Sequence, residues 1–132
     1  MNRVVHFEIQ VDNPDRAIDF YKKVFGWDFI KWEGSPSPYW MVMTADKDSK
    51  EPGINGGLLP RPCPAPAPEQ GTNAFVCTVH VDNFDDAAKK IKSAGGKVAM
   101  PKFAIPNMAW QGYFLDTEGN TFGVHQPDKN AK

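Results

Sequence analysis

VVHFEIQVDNPDRAIDFYKKVFGW, residues Val4 to Trp27, is the stretch whose reading decides the fold. Its first eight residues have the β-branched content and strict alternation of a strand. Phe7, Ile9 and Val11 share one face, and His6, Glu8 and Gln10 share the other. Asp12-Asn13-Pro14-Asp15 then opens a helix. Asn13 or Asp12 serves as N-cap, and Pro14 suits the first helical position, where a missing N–H costs nothing. Ala17, Ile18, Phe20, Tyr21, Val24 and Phe25 recur at helical spacing, and Gly26 ends the helix by tolerating left-handed backbone. A weaker copy, FVCTVHVDNFDDAAKKIKSAGGKV, runs from Phe75 to Val98. At one offset of 70 residues Val11 falls on Val81, Asp12 on Asp82, Asn13 on Asn83, Asp15 on Asp85, Ala17 on Ala87 and Gly26 on Gly96. A strand-turn-helix-glycine order repeated at a single offset indicates a tandem duplication.

The flanking segments extend the repeat. In the first half, strands are expected at Trp27 to Trp32, Tyr39 to Thr44 and Ile54 to Leu59, the last carrying Gly56 and Gly57. The turn at Glu33 to Pro38 and the charged segment Ala45 to Gly53 separate them. Every second residue from Pro60 to Pro68 is proline. The segment 60–72 is therefore read as a stiff, extended bridge, since proline removes donors and fixes φ. The second half repeats the order: a strand at Asn73 to Val81, then a helix at Phe84 to Ala94, capped by Asn83 and stopped by Gly95-Gly96. A strand follows at Lys97 to Met100, with a proline-bounded excursion at Pro101 to Asn107. Trp110 to Asp116 and Thr121 to Gln126 form a hairpin around Gly119, and Pro127 to Lys132 reads as a polar tail. The expected architecture is α+β: two tandem β-α-β-β-β modules, 4–59 and 73–127. They make one domain in which a curved mixed sheet surrounds a cleft and the helices lie outside.

Composition narrows the partners. A net charge of -1 leaves no basic footprint, which argues against nucleic acid. No apolar run approaches the roughly 18 residues of a membrane span, and the N-terminus enters a strand without a leader-like segment. Cys63 and Cys77 are too few and too unpatterned for a disulfide framework or a zinc ribbon. The expectation is a cytoplasmic, reduced protein with neither membrane nor nucleic-acid contacts.

HFEIQVDNPDRAIDFYKKVFGW, the VDNFDDA echo and LDTEGNTFGVHQ at the end resemble the vicinal oxygen chelate superfamily. That superfamily includes glyoxalase I (lactoylglutathione lyase), bleomycin-resistance proteins, extradiol dioxygenases and fosfomycin-resistance enzymes. The wording is most similar to a glyoxalase-like branch of it. The resemblance spans both halves, and it implies a small-molecule ligand and a homodimer. In metal-dependent members the first and last strand of each module supply one ligand each, His or Glu. Here those four positions are His6, Gly57, Val76 and Gly123, so the resemblance retains one ligand of four. No cofactor is expected on that basis, since catalytic ions need about three protein ligands. A relocated divalent-metal site built from His6, Glu8 and His125 is the alternative.

Strand alternation gathers further chemistry on the face that carries His6. Glu8 and Gln10 share it in the first module, and Val76, Thr78 and His80 share it in the second. Gly123 and His125 join them from the last strand. His6 and Glu8 are the candidate acid/base pair, because burial can bring a carboxyl toward neutrality. Gln10, Gly57, Thr78, His80, Gly123 and His125 are candidate ligand contacts, together with Trp40 and Trp110, which occupy similar places in the two modules. The plainer reading is that these histidines are partly buried and hydrogen-bonded, and that the tryptophans are core. The glycines could leave room for a ligand to approach the backbone, or could simply pack tightly. Three functions compete: an enzyme without the usual metal, a protein that sequesters an aromatic compound, and a non-catalytic interaction module.

Overall fold

The computed structural model describes residues 3–70 and 75–132. The end of the expected bridge (71 and 72) and the start of the expected fifth strand (73 and 74) lie outside them. The chain divides into two compact units, residues 1–65 and 66–132.

In the first unit, β1 (Phe7–Val11) leads into α1 (Pro14–Phe25), followed by β2 (Asp28–Lys31), β3 (Trp40–Met43) and β4 (Gly56–Pro60). The strands lie in the order β1-β4-β3-β2, with β1 parallel to β4 and the other pairs antiparallel. The second unit repeats this as β5 (Thr78–His80), α2 (Phe84–Ser93), β6 (Lys97–Ile105), β7 (Ala109–Leu115) and β8 (Thr121–Pro127), in the order β5-β8-β7-β6. β2, at the far edge, also runs parallel to β1, and the helix supplies the crossover between them while covering one face of the sheet. Both sheets are mixed, and each helix lies on the outside of its own sheet's apolar face.

The helix boundaries follow local chemistry. Asn13, and not Asp12, caps α1: its side chain accepts the Arg16 N–H at 3.1 Å, and Asn83 accepts the Asp86 N–H at 2.9 Å in the same role. Gly26 ends α1 at φ 70°. In the aligned register α2 stops two residues earlier, at Ser93, and the positive-φ glycine comes one residue earlier, Gly95 at φ 97°. Gly96 instead packs under Ile91, where an added Cβ would come within 2.6 Å of the Ile91 side chain.

Core residues alternate as the sequence suggests. Val11, Val42 and Leu58 are fully buried with Ala17, and Phe7, Ile9, Trp27, Phe29 and Trp40 pack around them. In the second unit Phe84, Ala87 and Ile91 of α2 are buried, as are Phe114, Phe122 and Val124 of the sheet, and the Phe84 and Phe114 rings lie 5.9 Å apart.

Two expectations need correction. The excursion at Pro101 to Asn107 is largely strand, because β6 runs on to Ile105. β6 is an edge strand, and its register shifts on both sides of Met100, so Pro101 removes no ladder bond that an interior strand would need. The polar tail is also docked: Ala131 is fully buried, its carbonyl accepts the Asn107 N–H at 2.9 Å, and the Asp128 N–H reaches the Met108 carbonyl at 2.8 Å.

Leu58 and Leu59 sit side by side on opposite faces of β4, so they test the burial pattern directly. Leu58→Ala should lower stability by about 2–5 kcal/mol, and Leu59→Ala by clearly less, as read from the urea midpoint at unchanged m.

Candidate functional site

Cross-strand register defines the face of the first sheet that α1 leaves uncovered. Glu8 pairs with Gly57 and Gln10 with Leu59, while Met41 pairs with Gly57 and Ile30 with Met41. Tyr39, two residues before Met41, lies diagonal to Gly57, a distance an aromatic side chain can span. Its hydroxyl occupies the space that a Cβ on residue 57 would take. The room at Gly57 is therefore filled by the protein's own Tyr39, and the backbone there is not open to a ligand.

From that seat the Tyr39 hydroxyl reaches two side chains. His6 Nε2 is 3.0 Å away, and Tyr39 donates to Glu8 Oε1 at 3.4 Å. His6 and Glu8 are themselves 4.0 Å apart, too far for a direct hydrogen bond, so the phenol is the link between them. Both side chains are about half exposed, at 49% and 44%. Burial raises the Tyr39 phenol above its ordinary value of 10.0, and the charge and hydrogen bond of Glu8 raise it further. Trp32, 53% exposed, meets Tyr39 edge-on with ring centroids 5.9 Å apart, and the turn at Gly34 folds against its indole.

The second unit fills its glycine differently. Thr78 and Tyr113 both pair with Gly123. A Cβ on Gly123 would lie 2.5 Å from Thr78 Oγ1 and 2.9 Å from Gln111 Nε2. Gln111 thus plays the part of Tyr39 here, again from the diagonal position. Its Oε1 accepts from His125 Nδ1 at 2.8 Å, which fixes the proton on Nδ1 and leaves Nε2 as the other ring nitrogen. His80 pairs with His125 and is exposed, and Gln10 is half-buried.

Trp40 and Trp110 do not join these groups. Trp40 pairs with Leu58 and packs on the helix-covered side, with Lys31 Nζ 6.0 Å from its ring. Trp110 pairs with Gln126, whose side chain binds the N-terminal N–H of α2, and its indole N–H donates to Asp128 at 3.0 Å. Both tryptophans therefore serve the helix side of their sheets. The residues that sequence reasoning did not place at the site are Tyr39 and Trp32. The usable signal was the glycine in a central strand: it leaves a gap that a side chain from a neighbouring strand can fill.

The donor set does not suit a metal ion. His6 and Glu8 are the two metal-ligand types that Tyr39 brings together, Asp28 lies out on the edge strand β2 of the same face, and His125 belongs to the second unit, tied to Gln111. Among the described residues no group of three or more His, Cys, Asp or Glu side chains could hold an ion. A shallow recess of about 180 Å³ between Gly95, Lys97, Asp116 and Gly119 shares no residue with either cluster. It is smaller than a typical ligand pocket.

The sequence profile of the Glyoxalase/Bleomycin resistance protein/Dioxygenase superfamily matches residues 3–124, and the chain belongs to that superfamily. No individually curated protein sequence matches it. Among solved structures it is similar to TnmS3, an antibiotic binding protein from Streptomyces sp. CB03234. The two are 22% identical, with TM-score 0.67 over 97% of this chain and 98% of that one. It is also similar to the fosfomycin resistance protein FosX from Listeria monocytogenes, at 17% identity and TM-score 0.69, covering 97% and 94%. A glyoxalase I mutant from Zea mays matches at 18% identity and TM-score 0.69, covering 92% of this chain and 45% of that one. At these identities the likeness is one of fold.

Two results should follow from the Gly57 seat. Gly57→Ala should leave the far-ultraviolet circular dichroism intact while expelling the Tyr39 hydroxyl, so that the Tyr39 titration followed by ultraviolet absorbance moves toward its ordinary value. Glu8→Gln should lower it only in part, because burial is the largest cause. The linkage has a definite sign. A phenol raised by folding adds stability that is whole below pH 10.0 and is lost as pH rises through the raised value. The Glu8→Gln variant should therefore lose less stability than wild type across that alkaline window.

Proposed function

We propose that this protein binds a small, largely apolar organic molecule on the uncovered face of its first sheet, without the four-ligand metal site of metal-dependent superfamily members. The observation that carries this reading is the His6–Tyr39–Glu8 cluster beside the exposed Trp32. It combines a stacking surface with groups that can give and take protons, the mixture typical of sites for organic ligands. His6 and Glu8 are the acid/base candidates. Metal-independent retention of a ligand accords with the donor set, which stops at two side chains around Tyr39.

Sequestration without turnover is the second reading. It is favoured by a cluster whose polar groups already satisfy one another, and one relative in fold is described as an antibiotic binding protein.

A panel of aromatic compounds followed by tryptophan fluorescence tests the proposal. Binding should survive exhaustive chelation, and Trp32→Ala should weaken it about tenfold, the scale of one lost aromatic contact of about 1.4 kcal/mol. Binding that disappears with chelation and returns with a stoichiometric ion would instead support the relocated-metal alternative. Product formation from the bound compound separates catalysis from sequestration.

A further inference from the structure

The hydroxyl of Tyr39 has one proton and two neighbours that could accept it. If Tyr39 donated to His6, an oxygen lone pair would face the Glu8 carboxylate at 3.4 Å with no proton between them. If His6 Nε2 carries a proton and donates to Tyr39, the phenol is free to donate to Glu8, and both contacts are attractive. The second arrangement satisfies the whole cluster. It also fixes the imidazole: Nε2 is committed inward, and Nδ1 is the nitrogen with no partner among the described residues, on a side chain about half exposed. Gly57 holds this geometry in place, because any larger residue there would displace the phenol.

We propose that His6, Tyr39 and Glu8 form a one-directional hydrogen-bond relay in which His6 Nδ1 is the base. Its ligand is a weak O–H acid on an aromatic body, a phenol, laid against Trp32. This rests on the ligand-binding reading above and assigns its polar chemistry. The phenol O–H bond breaks, its electron pair stays on the ligand oxygen, and the proton forms a new bond to His6 Nδ1. The products are a phenolate and an imidazolium, with no change of oxidation state. Nε2 keeps its proton and donates to Tyr39, which donates to Glu8, so the carboxylate compensates the new positive charge through the phenol without touching the ligand. Tyr39 and Glu8 are thus positioning residues, and His6 is the group in contact.

Para-nitrophenol is a suitable probe, since its phenolate has a visible band that the un-ionised form lacks. Para-nitroanisole, of the same shape, has no proton to give. In near-neutral buffer, where the base is available and the free phenol is still in good part un-ionised, adding wild-type protein should intensify the phenolate band, and His6→Gln should abolish the increase. Tyr39→Phe and Glu8→Gln should each reduce the bound phenolate fraction about fivefold, the scale of one charge-assisted hydrogen bond at a partly exposed site. The double variant should be no weaker than Tyr39→Phe alone. Para-nitroanisole should bind the wild-type protein without developing such a band. Nitrophenol that binds without ionising overturns the relay and leaves the binding proposal standing. A Glu8→Gln effect that persists in the Tyr39→Phe background also overturns it, because Glu8 would then act directly. Failure of both probes, and of every other aromatic compound tried, overturns the binding proposal and the relay with it.

Discussion

Parallel pairing between the first and fourth strand of each module is the constraint on which the rest depends. It aligns Glu8 with Gly57 and Thr78 with Gly123, and the helix that carries the chain on to the far edge strand covers one face. Because side chains alternate with a period of two, a slip of one residue would exchange the two faces of β1. Val11 and Ile9 would then face outward, and His6 and Glu8 would be driven against the helix. The apolar residues that anchor α1 and the polar residues of the site are therefore held in place by the same register. Stability of the core and geometry of the cluster cannot be tuned separately along that strand.

Much of this was legible in the chain. The repeat at an offset of 70 gave the module order, the Asn caps gave the helix starts, and alternation in Val4 to Val11 placed His6 and Glu8 on one face. Local signals sufficed there because each depends on neighbours within a few residues. The misreadings share a different cause. Pro101 reads as a break, yet an edge strand tolerates it, and edge position is a property of the whole sheet. The tail reads as polar, yet Ala131 finds a burial site against the turn near Asn107, a contact more than twenty residues away in sequence.

The site was half legible for the same reason. Single-strand reasoning can say what lies above and below a strand, but not what reaches across from the next one. Tyr39 belongs to the cluster through a diagonal contact with Gly57, and the alternation within Tyr39 to Thr44 contains no trace of its partner. Conversely Trp40 and Trp110 match one another in position and were natural candidates for a ligand, but their parity puts them on the side of Leu58 and Gln126.

The glycine seats have a consequence for how such a protein can change over generations. In each sheet the vacancy lies on one strand, at Gly57 or Gly123, while the side chains that fill it come from elsewhere in the sheet: Tyr39, just before β3, or Thr78 and Gln111 from the two flanking strands. The backbone ladder does not depend on which group fills the gap. A single substitution at the filling position can thus exchange a phenol for an amide, or for something else, while the strand beneath keeps its hydrogen bonds. With two copies of the same arrangement in one chain, one can drift while the other is held by selection. The two present fillings, one beside His6 and the other beside His125, already differ while both strand ladders stay intact.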